Sequence, residues 1–220
     1  MPPPRRPRRS PVSAEKQRDS VRTRRLILEA AAAEFAEHGY AGARVSAIAS
    51  RAGVNQQLIS YYFDGKQGLY QAMAQQWQQR RAEIAPPGTP LPEQLRRYAL
   101  EALRNPSGPR LVAWSGLQYT GPDGDPDRAS RAGMFTESLD ELAALQRAGH
   151  LPAELDPRCL LVMLMAAAMA PTTLPQIIET LGGDPRSPEF IEHFAEQVAL
   201  VAALLGLGAD PSDAPTRHGA

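Results

Sequence analysis

The stretch RVSAIASRAGVNQQLISYYFDGKQGLY, residues 44 to 70, contains two short helical patterns on either side of a glycine turn. The first has apolar residues at steps of three and four positions, which share one helical face that can be buried: Val45, Ile48, Ala49 and Ala52. Gly53 can adopt the left-handed backbone that closes a helix, and Asn55 can cap the next one by accepting from its free N–H groups. The stretch therefore predicts a helix-turn-helix.

The second pattern has two distinct faces when residues are placed about 100° apart around a helix. The inward face is apolar and aromatic: Leu58, Ile59, Tyr62 and Phe63. The outward face offers two amides, a hydroxyl and a phenol: Gln56, Gln57, Ser60 and Tyr61. Such groups suit base edges and phosphates in a DNA major groove, so we predict a recognition helix. A polar face taken alone is typical of an ordinary solvated helix, and the flanking patterns decide between the two.

Helical patterns also flank the motif on both sides. The preceding segment TRRLILEAAAAEFAEHGY, residues 23 to 40, has the wide apolar stripe of a supporting helix: Ile27, Leu28, Ala31, Ala32 and Phe35. A fourth helix is predicted to begin at Gln67. Between them, Asp64-Gly65-Lys66 forms a tight turn that places a cation beside the end of the recognition helix, where a phosphate would lie.

Over about residues 22 to 82 the chain resembles the tetracycline-repressor (TetR) family of ligand-responsive transcription regulators. The resemblance lies in a first helix that ends in FAEHGY, the turn AGVN, the aromatic run YYF and the closing KQGLY. It implies that Gln56, Gln57, Ser60 and Tyr61 face DNA, and that Tyr62 and Lys66 touch phosphates. Ser60 stands where members commonly carry tyrosine for a phosphate contact, so we expect it to contribute little. Arg44 stands where serine or threonine often caps the second helix, and we expect it to contact phosphate in place of a cap.

The charges are unevenly distributed along the chain. The totals of 24 Lys plus Arg and 24 Asp plus Glu cancel. Residues 1 to 81 nevertheless hold 14 basic against 6 acidic side chains, a net +8, which leaves 10 against 18, a net −8, for the rest. This asymmetry places an anionic partner at the N-terminal end.

The composition is that of a packed soluble protein, with 43% hydrophobic and 22% charged residues. The longest apolar run, Cys159 to Ala170, is shorter than the roughly 18 to 20 residues that a membrane span requires, and no export signal is visible. We therefore expect a cytoplasmic protein with no membrane contact. The single cysteine, Cys159, cannot form an internal disulfide, and we expect it to be buried without a chemical role.

Four segments are predicted along the chain. Residues 1 to 20, rich in proline and arginine, form a disordered arm that either reaches along DNA, with Arg22, Arg24 and Arg25 best placed, or is a solubilising tail. Residues 21 to 82 form the helix-turn-helix domain, whose last helix ends near Ile84 before PPGTPLP. Residues 83 to 206 form a helical effector-binding and dimerisation domain, and residues 207 to 220 a disordered tail.

The larger domain is predicted to be all helical, because no stretch alternates apolar and polar residues. Its helical patterns are Leu91 to Arg104, Pro109 to Tyr119, Arg128 to Arg147, Pro157 to Ala170 and Pro188 to Leu205. The last two are apolar around most of their circumference. The resemblance implies that they pair across a two-fold axis in a homodimer; the alternative is that both are central to a single monomer core.

The resemblance also implies a small-molecule cavity among the middle helices. Candidate lining residues are Trp114, Gln118, Tyr119, Phe135, Met163 and Met169, although side chains of these types at helical spacing also form plain core. Pro171 and Pro175 either bend the chain beside this cavity or end the helix.

We therefore expect a DNA-binding regulator, a repressor that a small-molecule effector releases from a palindromic operator. The sequence has no GxSxG, no HExxH, no phosphate-binding glycine loop and no cysteine pair, so no enzyme activity, cofactor or metal is predicted. The alternative function is a helical protein-binding adaptor with a degenerate DNA-reading head.

Overall fold

The structure is a computed structural model that describes residues 12 to 208, except 125–127, 129, 130, 132 and 134. Within these residues every regular element is a helix and none is a strand, which confirms the predicted all-helical class. The N-terminal part, here called the head, comprises four helices: α1 Val12–Gly42, α2 Val45–Ala52, α3 Gln56–Phe63 and α4 Gly65–Ile84.

The helix-turn-helix is formed by α2 and α3, and its turn follows the predicted chemistry. Gly53 ends α2 in the left-handed conformation, with φ 67° and ψ 33°. Asn55 then caps α3, because its side-chain Oδ1 accepts from the backbone N–H of Gln57 at 2.9 Å.

One apolar core holds the head together. Its largest side chains are inaccessible to solvent and come from all four helices: Ile27, Phe35, Ile48, Ile59 and Leu69. Phe35 also packs edge-on against Tyr70 with ring centroids 5.5 Å apart. Full burial of such side chains contributes about 1.5 to 3 kcal/mol each, so this core fixes how α3 lies on its supporting helices.

Two disorder predictions are wrong in part. Residues 12 to 20 belong to α1, because no proline follows Pro11 in this segment and its backbone can continue the helix. Leu207 is buried in the core of the larger domain, although it lies in the predicted tail. The rest of the predicted arm, 1 to 11, and of the tail, 209 to 220, lies outside the described residues.

The remainder of the chain, here called the body, is also helical. Its elements are α5 Leu91–Arg104, α6 Ser107–Leu117, a short 3-10 turn Pro122–Gly124, α7 Thr136–Arg147, α8 Pro157–Thr173, α9 Pro175–Thr180 and α10 Pro188–Leu204. The bounds of α5 are those predicted. The predicted start of α7 at Arg128 falls in the partly described stretch. The six-residue α9 was not predicted, since it is too short to show a periodic pattern.

The body core lies where α5 packs between α8 and α10. It includes the buried leucines Leu95, Leu142, Leu145 and Leu164. Pro171 neither ends α8 nor starts a new helix, because α8 continues to Thr173 and stops before Pro175. The buried Thr172 hydroxyl donates to the Ala102 carbonyl at 2.7 Å, which ties the end of α8 to α5.

Cys159 is exposed, so the prediction that it is buried is wrong. It occupies the first turn of α8, whose buried positions are the neighbouring Leu160 and then Leu164, one turn further on. Among the helices described, none is both long and apolar enough to cross a membrane.

Candidate nucleic-acid interface

The two faces of α3 lie as the sequence predicts. Gln56, Gln57, Ser60 and Tyr61 are exposed, Tyr61 with 79% of its surface accessible. On the opposite face Ile59 is fully buried and Phe63 is 5% exposed. Because core packing holds the inner face, the polar groups form a fixed surface at the edge of the head. Their contact with DNA stays a prediction.

Arg44 precedes α2, and its backbone N–H donates to Glu34 Oε1 at 3.2 Å. Glu34 lies on α1 and is only 4% exposed. A carboxylate at a helix N-terminus satisfies a free N–H group and complements the helix dipole. Glu34 thus accepts from the N–H of the N-cap residue, no side chain of Arg44 caps α2, and the Arg44 side chain remains exposed. Sequence reasoning missed Glu34, whose signal was a lone acid within the apolar run AAAEFA.

An ion-pair cluster joins α1 to α2. Arg51 Nη2 lies 2.9 Å from Glu37 Oε2 and 4.0 Å from Glu34 Oε2. The hydrogen bond from Arg51 holds the pKa of the Glu37 carboxyl below its usual value. Ligand atoms of Glu34, Glu37 and His38 lie within 4.8 Å of one another, a spacing that could suit a metal ion. The Arg51 cation lies among these atoms, so we assign the cluster a structural role.

The Lys66 ammonium is turned back towards α1. Its Nζ donates to the Ala41 carbonyl at 3.2 Å and lies 4.8 Å from the centre of the Tyr40 ring. This partial burial lowers the pKa of Lys66, although Glu34 opposes the shift. Tyr62 is partly buried between the rings of Tyr61 and Phe63. Any phosphate contact by Lys66 therefore uses a side chain that also binds the end of α1.

Arg24 binds the C-terminal end of α3. Its Nη1 donates to the Tyr62 carbonyl at 3.3 Å, and its guanidinium carbon lies 4.6 Å from the centre of the Phe63 ring. The last turn of α3 has no basic residue of its own, so Arg24 supplies the cation that complements its dipole. Arg25 pairs with Glu29 at 2.7 Å. All three arginines predicted to reach DNA are exposed, and two of them, Arg24 and Arg25, also make contacts within the head.

The junction between α3 and α4 requires a glycine. A Cβ added to Gly68 would lie 1.7 Å from the carbonyl oxygen of Phe63. No side chain fits at that distance, so α4 can approach the end of α3 this closely only because residue 68 lacks one.

The six candidate effector-site residues have different surroundings in the described part of the chain. Trp114 Nε1 donates to the Ala36 carbonyl at 3.2 Å, and Gln118 Oε1 accepts from the Ala41 N–H at 3.2 Å. Both therefore bind α1 across the boundary between body and head, and their assignment to an effector cavity stays a prediction. An aromatic ring and an amide at helical spacing serve a helix contact as well as a cavity, so the pattern could not distinguish the two.

The other four candidates lie apart from this contact. Tyr119 and Met163 are 57% and 66% exposed. Phe135 and Met169 are partly buried. Of the surface hollows in the described part of the chain, one lies between Arg24, the end of α3 and α4, and another between α7 and the start of α8. Neither is lined by any of the six candidates.

Comparison with known proteins identifies both parts of the chain. Residues 27–73 match the model of bacterial regulatory proteins of the tetR family, and residues 90–199 match that of the tetracyclin repressor-like C-terminal domain. The HTH-type transcriptional repressor SCO4008 of Streptomyces coelicolor is 31% identical over 76% of this chain and 88% of its own length. The HTH-type transcriptional regulator RutR of Escherichia coli is 28% identical over 80% of this chain and 86% of its own.

A solved structure has the same architecture. The crystal structure of the transcriptional regulator SCO4942 from Streptomyces coelicolor superposes with a TM-score of 0.65 at 28% identity. The match covers 83% of this chain and 97% of that one. Both family models match, and α3 exposes a polar face as a recognition helix does. The chain therefore belongs to the tetR family of bacterial regulatory proteins and is a DNA-binding transcriptional regulator.

Proposed function

We propose that the protein is a homodimeric repressor that binds a palindromic operator and leaves it when a small molecule binds the body. The observation that carries this proposal is α3, which buries Ile59 and Phe63 and exposes four polar side chains on one edge of the head. An amphipathic helix presented in this way fits the major groove of DNA.

The proposed DNA contacts divide into two kinds. Gln56, Gln57, Ser60 and Tyr61 face the bases, where amides recognise adenine edges and hydroxyls accept or donate more generally. Arg44, Tyr62 and Lys66 lie at or near the ends of α2 and α3 and contact phosphates, which fixes the register of the head without reading sequence.

The proposed dimer contact uses α8 and α10. These helices expose large apolar side chains in the single chain, among them Val162, Met163, Leu200, Val201 and Leu204. Leu204 has 78% of its surface accessible. The proposal rests on several exposed apolar side chains grouped on two helices and not on any single leucine, because grouped apolar surface marks a protein contact. A two-fold dimer would place two heads about one DNA turn apart, roughly 34 to 36 Å.

The repressor assignment is supported by the relative SCO4008, which is named a transcriptional repressor. The effector is proposed to bind the body, where Phe135 and Met169 are the candidates that keep partly buried side chains. A ligand that favours the released arrangement by about 1 to 3 kcal/mol would change the operator affinity about 5- to 150-fold. We place this equilibrium in the cytoplasm.

Selection of bound sites from random double-stranded DNA tests this function. We expect an inverted repeat with half-site centres about one turn apart, bound by a species that sediments as a dimer. Replacing Gln56, Gln57 and Lys66 together with alanine should abolish selection of that repeat. Recovery of no common site by the unaltered protein, or of the same repeat by the triple variant, would contradict the proposal.

A further inference from the structure

One face of α6 forms the contact between the body and α1. Leu111 packs against the head core, Trp114 donates to the Ala36 carbonyl, and Gln118 accepts from the Ala41 N–H. These three positions are separated by three and then four residues, so Leu111 and Trp114 share one face of α6 and Gln118, the residue that caps its C-terminus, continues that face. The contact thus combines apolar packing with two hydrogen bonds, and Gln118 makes the bond nearest the end of α1.

The end of α1 is shaped to receive the Gln118 amide. Gly39 interrupts the helix with φ 66° and ψ 177°. A Cβ at this glycine would lie 2.7 Å from Gln118 Nε2 and 2.9 Å from its Oε1. Glycine is therefore favoured here by the backbone conformation, and a Cβ would displace the Gln118 amide from its place. The amide fills the position that any other residue's side chain would occupy.

The same short segment also holds the start of α4. The Ala41 N–H donates to Gln118, while the Ala41 carbonyl accepts from Lys66 Nζ. Lys66 follows the Asp64 residue that ends α3 in a left-handed conformation. A single residue of α1 therefore connects the body, through Gln118, with the turn that closes the recognition helix.

We propose that Gln118 is a positioning residue for operator binding: its amide fixes the angle between head and body, and thereby the separation of the two heads in the dimer. This inference rests on the proposed dimeric function. Gln118 makes no contact with DNA in this arrangement. It acts on the relative placement of two recognition helices, each of which reads its own half-site unaided.

The test compares three kinds of DNA duplex bound by the full-length protein and by its variants. One carries the selected palindrome, one a single half-site, and the third set has half-sites moved closer or further apart by one base pair. We expect Gln118→Ala to weaken binding to the palindrome by about fivefold, the effect of losing one net hydrogen bond. Binding to the single half-site should stay within about twofold, and the preference for one spacing should flatten.

Two further variants separate positioning from general damage. Gln118→Glu keeps a carboxyl oxygen that can accept from the Ala41 N–H, so it should restore the spacing preference. Gln94→Ala removes a body glutamine whose Nε2 donates to the Thr89 carbonyl at 2.7 Å, away from α1, and should leave all three affinities unchanged. Thermal unfolding of each variant confirms that it is folded.

The inference is overturned if Gln118→Ala weakens single half-site and palindrome equally, or changes neither. Failure of the unaltered protein to prefer any palindrome would instead refute the proposed dimeric function. The two failures are therefore distinguishable, since the first is seen only in the variant and the second already in the unaltered protein.

Discussion

Arginines in the head either stabilise its fold or remain free to contact phosphate, and the residue type alone does not show which. Arg24 and Arg44 are both exposed arginines near the recognition helix. Arg24 is bound to the end of α3, whereas the contact described for Arg44 involves its backbone N–H, which leaves the guanidinium exposed towards solvent. Position in the fold therefore determines which cation holds the head together and which can neutralise a phosphate.

Arg24→Ala should lower stability while leaving the salt dependence of DNA binding unchanged. Removing a cation from the end of a helix costs about 0.3 to 1 kcal/mol in the free energy of unfolding, measured by urea denaturation. Arg44→Ala is the comparison: each lost phosphate contact should reduce the slope of log affinity against log salt by about 0.9, or about 1.8 for the two subunits of the dimer. An equal loss of slope in both variants would place Arg24 on the DNA.

Gln57→Ala should alter sequence preference more than overall affinity. Loss of a two-point amide contact to a base costs about 1 to 3 kcal/mol of discrimination at one base pair, and leaves phosphate contacts intact. Repeated site selection would show that position relaxed. Gln75→Ala, in an exposed glutamine of α4, is the matched control and should leave the preference unchanged. Uniformly weaker binding with an unchanged preference would contradict base reading by Gln57.

At the level of elements, the recognition helix was predictable and its neighbours only partly so. The faces of α3 follow from the spacing of Ile59 and Phe63 against Gln56 and Ser60, because an apolar stripe must be buried. Trp114 and Gln118 were predicted to line an effector cavity, and their spacing could not tell whether a ligand or α1 lies against them. Periodicity identifies a buried face and not the group that buries it.

The close junction of α3 and α4 gives a prediction for Gly68. Gly68→Ala would force a Cβ against the Phe63 carbonyl, so α4 must move away from α3. We expect a loss of about 1 to 3 kcal/mol in the free energy of unfolding, together with weaker DNA binding. Gly116→Ala is the matched control, because a Cβ there would have no neighbouring atom within 4 Å and the residue lies in a regular helix. It should be neutral or stabilise by up to about 1 kcal/mol.

At the scale of the whole molecule, the single chain leaves an apolar surface on α8 and α10 that its own core does not use. The sequence predicted this surface, because both helices are apolar around most of their circumference. It could not identify which side chains turn outward, since a helix without a polar face has no periodic signal to orient it. The structure identifies Met163 and Leu204 among them.

Leu204→Glu should weaken the proposed dimer. Burying a carboxylate at a two-fold interface places two like charges close together out of water, so we expect self-association at least tenfold weaker. Sedimentation velocity across a concentration series measures this. Leu117→Glu, at a leucine of α6 that is 80% exposed, is the matched control and should sediment as the unaltered protein does. A Leu204→Glu protein that remains fully dimeric would remove α10 from the contact.

The exposed thiol of Cys159 has a practical consequence. It is the one cysteine in 220 residues, so a maleimide reagent attaches a single fluorophore to each subunit without engineering. Any disulfide formed on oxidation must join two molecules. Energy transfer between labelled subunits would therefore report subunit exchange, and oxidative cross-linking would measure how near two copies of α8 come to each other.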